Sequence, residues 1–206
     1  MTENLEQHEL KDRLELIEQM MTEGRRSTES WGWTFVLWGV AYYVATAWSS
    51  GLVPTPLWSR QYLAWPVTMI AAAVITGITA SRMGHDHPPT TLGRALGSIW
   101  SVMGISLFVV LFALGLSGHY DIHVYMAIIG GMLGVANGAS GLILKWKMQL
   151  ACAIVWLGAG VVGCFGSDNQ AGIAFLAATF FCQIVFGIYV MVSEARRRRQ
   201  PGAVHA

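Results

Sequence analysis

IHVYMAIIGGMLGVANGASGLILKWKMQLACAIVWLGAGVVGCFG, residues 122–166, holds two apolar runs, Ile122 to Leu144 and Met148 to Gly166, parted by Lys145-Trp146-Lys147. At about 1.5 Å of helical rise per residue, each run is long enough to cross a hydrocarbon core of about 30 Å. The connection is so short that the two helices must be antiparallel neighbours. Its two lysines mark the turn as cytoplasmic, because basic residues are retained on that face. Within the first run, Gly130, Gly134, Asn137, Gly138 and Gly141 fall on one side of the helix. Ile128, Met132, Val135, Leu142 and Ile143 occupy the other. Lipid tails are as apolar as leucine, so burial does not draw helices together in a bilayer; small residues do, by letting backbones approach. The five small or amide residues are therefore the expected helix-packing face, with the Asn137 amide bonding across to a neighbouring helix.

Four more apolar runs flank this pair: Trp31 to Trp48, Tyr62 to Ala80, Ala95 to Ser117 and Ala171 to Ser193. With the N-terminus inside, Lys11, Arg13, Arg25, Arg26, Arg82, Arg94, Lys145, Lys147 and Arg196 to Arg199 are all cytoplasmic, and Arg60 alone of the 13 Lys and Arg residues faces out. The expected fold is all-α: a polytopic membrane protein of six transmembrane helices with both termini cytoplasmic. Residues 1–30 form a cytoplasmic amphipathic helix and elbow, 31–193 the bundle and 194–206 a basic cytoplasmic tail.

Composition supports this division. Of 206 residues 54% are hydrophobic and 12% charged, too apolar a balance for a soluble domain. A net charge of +1 gives no footing for a nucleic-acid partner, and the local basic runs suit anionic lipid headgroups, so the expected partner is the lipid bilayer. The strongly charged first 30 residues hold no apolar core for a cleavable signal peptide. Cys152, Cys164 and Cys182 all lie in membrane runs and imply no disulfide framework. Trp31, Trp33, Trp100 and Trp146 are expected at the inner interface and Trp48, Trp58 and Trp65 at the outer one, as aromatic belts. Trp38 and Trp156 lie deeper, where an indole N–H bonded to a neighbouring helix is expected.

Residues 3–23 read as a charged amphipathic helix. Leu10, Leu14, Ile17 and Met21 recur at spacings of four, three and four, a heptad seam. Glu9 with Arg13, and Lys11 with Glu15, stand at i,i+4. Gly24 breaks the pattern and predicts an elbow over Arg25-Arg26-Ser27-Thr28. The seam either rests on the protein's own loops and the lipid surface, or makes a homo-oligomer or a contact with a cytoplasmic protein partner.

The run Glu15-Leu16-Ile17-Glu18-Gln19-Met20-Met21, Trp31-Gly32-Trp33 with Leu37-Trp38-Gly39, Trp65-Pro66, Leu107-Phe108 and the stretch Asn137 to Lys145 together resemble a family of small, uncharacterised bacterial six-helix integral membrane proteins with a charged N-terminal cytoplasmic helix. The resemblance implies the bacterial cytoplasmic (inner) membrane and, because such proteins are often encoded near winged-helix regulators, a regulatory setting. It assigns no activity and no functional residues. The Pro54 and Pro56 loop and the His-containing loops are departures from it.

Three motifs bear on chemistry. His119, Asp121 and His123 flank the outer start of the fourth run; were that start helical, the two histidines would share a face with Asp121 nearby, ligand types that suit zinc or copper. Asp121 also suits a helix N-cap, and no further ligand is identifiable, so no metal or other cofactor is expected. His85-Asp86-His87, before Pro88 and Pro89, lies on the opposite side of the membrane and cannot join that set. Gly138-Ala139-Ser140-Gly141 is similar to the Gly-x-Ser-Gly of rhomboid intramembrane proteases, yet the last run holds no histidine to take the serine proton, and the motif lies at the cytoplasmic end. No Asp, Glu, Lys, Arg or His occupies the central part of any run, which argues against ion-coupled transport. Asn137, Gln183, Thr68, Thr76, Ser101 and Thr179 suit interhelical hydrogen bonds. The expected function is a non-enzymatic scaffold or regulatory membrane protein acting through its cytoplasmic helix; the alternatives are a passive transporter or channel for a small neutral or lipophilic solute, and a membrane-embedded enzyme.

Overall fold

An apolar run away from water can satisfy its backbone N–H and C=O groups within one segment only as a helix. Each of the six runs becomes one. The computed structural model describes residues 2–51, 61–86, 91–118 and 121–198. It is all-α: α1 (Thr2–Ser30), α2 (Gly32–Ser49), α3 (Ala64–Asp86, entered through a 3-10 turn Gln61–Leu63), α4 (Thr91–Leu116), α5 (Ile122–Ile143), α6 (Lys147–Phe165), α7 (Asp168–Thr179) and α8 (Phe186–Arg198). A π-helical segment, Phe180–Val185, joins α7 to α8. Five stretches are long and apolar enough to cross a membrane: Gln61–Arg82, Thr91–Leu116, Ile122–Ile143, Lys147–Phe165 and Asp168–Arg196. The first expected run, now α2, is not among them: its 18 residues are long enough, but Trp33, Trp38, Trp48, Tyr42 and Tyr43 lower its hydropathy. Large apolar side chains point outward along the five, among them Val102, Ile105, Phe112, Val135, Leu142 and Ile154. A surface so apolar associates in water and is stable against lipid, and the chain is a multi-pass membrane protein in contact with a bilayer.

Two tight pairs organise the bundle. α5 and α6 pack through absent side chains: a Cβ on Gly130 would stand 2.7 Å from the Cα of Gly160 and 2.9 Å from the carbonyl oxygen of Trp156. Gly134 faces Leu157, Gly138 faces Ala153 at 3.6 Å, and Gly141 abuts the backbone of Leu150. At the turn between them Lys145 takes a left-handed conformation, φ 48°. There the Trp146 amide donates to the Gly141 carbonyl at 2.8 Å. The second pair is α2 with the last helical stretch. Gly32 lies against Val190, Gly187 against Val36, and Gly39 against Gln183 and Ile184, while the Tyr43 hydroxyl donates to the Leu176 carbonyl at 2.8 Å. These contacts step in opposite directions along the two chains, so α2 from Gly32 to Tyr43 runs antiparallel to the stretch from Leu176 to Val190. α3 packs along α2, and α4 along α5.

Between the pairs sits an aromatic core. Phe35 meets Trp100 and Phe186 edge to face at centroid distances of 5.4 and 5.2 Å, and Trp146 lies 5.2 Å from Phe186. Trp146 was expected in the inner aromatic belt and is instead 7% exposed, because the short turn folds its indole inward over the end of α8. The expected elbow at Gly24 also differs. α1 continues to Ser30, and the chain breaks at Trp31. Gly24 is buried, and a Cβ there would overlap Leu92 and stand 3.1 Å from Leu144, so it marks close packing of α1 on the bundle. A glycine inside a helix costs about 1 kcal/mol relative to alanine, which this contact offsets.

Candidate functional site

The part of α1 that precedes Gly24 carries the heptad seam, and its apolar side chains have little cover. Leu10, Leu14 and Ile17 are 61%, 57% and 51% exposed, and Met21 is half-buried where the helix nears the bundle. Met20 flanks the stripe, and Leu16 is exposed on the other side of the helix. Arg13 pairs with Glu9 one turn back on the same helix. Around Gly24, α1 meets the start of α4 and the end of α5, the end of the bundle that also carries Arg94, Lys145, Lys147 and Arg196. The arrangement is a helix fixed at one end that presents an uncovered seam along the rest.

Inside the bundle, Asn137, Ser140, Gln149, Thr179 and Gln183 are all buried. Trp100 Nε1 donates to Ser140 Oγ at 3.1 Å, which ties α4 to α5. The thiol of Cys182 reaches the Cys152 carbonyl at 3.7 Å. Asn137 does not bond across helices as expected: its Nδ2 donates to the Leu133 carbonyl at 2.8 Å within α5, and its Oδ1 has no protein partner. Thr68 and Thr76 likewise donate to Ala64 and Ala72 one turn back, the usual resort of a helical hydroxyl. Trp156 packs edge to face on Phe175 at 5.8 Å, but its indole N–H lacks the cross-helix partner expected for it. Gln149 was not singled out by the sequence, because it lies next to the basic turn and reads as interfacial. It is fully buried, and neither amide atom has a protein partner.

At the opposite end, Asp121 is extended and caps α5, its carboxylate accepting from the His123 amide at 2.9 Å. The helix starts at Ile122, and His119, the other histidine of the expected set, lies outside the described residues. The His123 ring turns toward α6 and α7 instead, with Nδ1 2.7 Å from the Gly163 carbonyl oxygen and Nε2 3.1 Å from Asp168 Oδ1. With an acceptor facing each nitrogen, the protonated ring satisfies both and clamps three helix ends. His85 and Asp86 close α3, and His87, Pro88 and Pro89 lie outside the described residues, as do Pro54, Pro56, Trp58 and Arg60. Among the described residues no three His, Cys, Asp or Glu side chains are placed to hold a metal ion. Comparison with protein-family models, with curated proteins and with solved structures finds no match to this chain.

Proposed function

We propose that this chain crosses the bacterial cytoplasmic membrane six times with both termini inside, and works as a non-enzymatic scaffold or regulatory protein through α1. The sixth crossing is α2. At about 1.5 Å per residue its 18 residues span about 27 Å, and it lies antiparallel against the last helical stretch from Leu176 to Val190, so that part of the depth crossed by one is crossed by the other. The basic residues then collect on the face that carries α1, as the positive-inside rule requires. The resemblance to small six-helix bacterial proteins with a charged N-terminal helix supports the same reading.

The observation that carries the functional part is the uncovered seam. A helix merely resting on its own bundle would turn Leu10, Leu14 and Ile17 inward, yet each is more than half exposed. Burying a leucine or isoleucine side chain is worth about 1.5–3 kcal/mol, and such a stripe calls for a partner. Replacing Leu14 and Ile17 together with Gln keeps the helix and removes the stripe. The expected result is a smaller complex in mild detergent with unchanged thermal stability of the bundle; unchanged mass and an unchanged set of copurifying proteins contradict the reading.

A second reading, passive passage of a small neutral solute, draws on one observation: the unpartnered amide atoms of Asn137, Gln149 and Gln183 inside the bundle. Intramembrane polar groups do concentrate along such paths.

A further inference from the structure

We infer that His123 is a proton-operated clamp at the end of the bundle remote from α1: its charged ring ties the end of α6 and the start of α7 to α5, and on losing its proton it keeps α6 and releases α7. The two ring bonds are not equivalent. Nδ1 stands 2.7 Å from the Gly163 carbonyl oxygen, an atom that can only accept, so Nδ1 carries a hydrogen. That carbonyl belongs to the last turn of α6, where a helix leaves its carbonyls without amide donors, and the ring supplies one. The partner is also fixed in place, since a Cβ on Gly163 would stand only 2.8 Å from the Cβ of Met126 on α5.

Nε2 stands 3.1 Å from Oδ1 of Asp168, whose side chain is 80% exposed. This second bond needs the proton. A neutral ring has one N–H, and with that committed to Gly163, Nε2 turns a lone pair toward the carboxylate. Two acceptors then face each other, and Asp168, with water beside it, is the partner that swings out. The surroundings suit a ring that gains and loses charge. Among the described residues the other ionisable side chains at this end are Asp121, which caps α5, Tyr125, whose hydroxyl donates to the Leu111 carbonyl, and the exposed Cys164 on α6. The dipole of α5, which begins here, opposes a charge on the ring; the dipole of α6, which ends here, and the two carboxylates favour it. Histidine exchanges its proton in the physiological range, about one unit either side of an ordinary value near 6.5. What the clamp releases is the start of α7, which runs on through the π segment into α8 and so lies against α2. That the pH in question is the external one rests on the proposed topology; the clamp itself does not.

Thermal unfolding of the detergent-solubilised full chain from about pH 5.5 to about pH 9.5, with His123→Gln as reference, isolates the ring. Glutamine donates to Gly163 at every pH and does not titrate. Stability that depends on the bound proton is complete in acid and lost as pH rises. The melting temperature of the wild-type chain should therefore fall relative to His123→Gln by about 2–4 °C across this range. Asp168→Ala should flatten that difference. Nitrogen NMR of histidine-labelled protein reads the ring itself, its signal assigned by absence in His123→Gln: both nitrogens protonated at the acid end, Nδ1 alone at the alkaline end. A wild-type profile parallel to that of His123→Gln, a pH dependence unchanged in Asp168→Ala, or a neutral ring protonated on Nε2 overturns the inference.

Discussion

Gly130→Ala lowers the melting temperature of the detergent-solubilised protein, whereas Gly131→Ala, one residue along, leaves it unchanged or raises it. A Cβ at residue 130 would come within 2.9 Å of three atoms of α6, all of them backbone, in Gly160 and Trp156. Backbone cannot step aside as a flexible side chain can, so α5 and α6 must separate and lose contact along their shared face. Overpacking of this kind costs about 1–3 kcal/mol, and at about 2–4 °C per kcal/mol for a chain of this size the expected fall is about 2–12 °C. A Cβ at residue 131 meets nothing within 4 Å. There alanine simply recovers helix propensity of up to about 1 kcal/mol. Gly134→Leu must displace the Leu157 side chain, which a Cβ alone would approach to 2.6 Å, and should destabilise more than Met132→Leu on the neighbouring face. Thermal unfolding followed by loss of soluble, monodisperse protein measures all four. Equal melting temperatures for the residue 130 and 131 variants would show that this face does not hold the bundle together.

Gln149→Met is expected to stabilise the protein. Its amide is fully buried, and neither the nitrogen nor the oxygen reaches a protein partner. An unsatisfied buried polar group costs about 1–3 kcal/mol, and methionine has nearly the same shape without that cost, so the melting temperature should rise by several degrees. The same variant separates the two functional readings. A scaffold gains stability and keeps its assembly through α1, whereas a solute path loses transport with the amide. A lower melting temperature in Gln149→Met would mean that the amide makes bonds the bundle depends on.

What the sequence made legible was whatever periodicity and charge govern. The six apolar runs, the seam on α1 and the small-residue face of α5 are local patterns, repeated several times, and each survives as an element or a face. Details set by what stands opposite a residue were not legible. Trp146 was assigned to the interface by its lysine neighbours, but the left-handed conformation of Lys145 folds the indole into the core. Asn137 was expected to bond across helices, and its amide nitrogen bonds the Leu133 carbonyl of its own helix instead. Gly24 reads as a helix breaker in one dimension and serves as a packing site in three. Gln149 escaped notice because only the fold turns it away from the nearby headgroups.

The proposed topology requires α1 to lie in the cytoplasm and α2 to cross the membrane after it. Labelling of single cysteines in intact cells with a membrane-impermeant maleimide measures this directly. In a Cys164→Ser background, Ser117→Cys should be labelled from outside, whereas Glu15→Cys on α1 should be labelled only after the cells are permeabilised. Labelling of Glu15→Cys in intact cells would place α1 outside, remove α2 as a crossing and contradict the account.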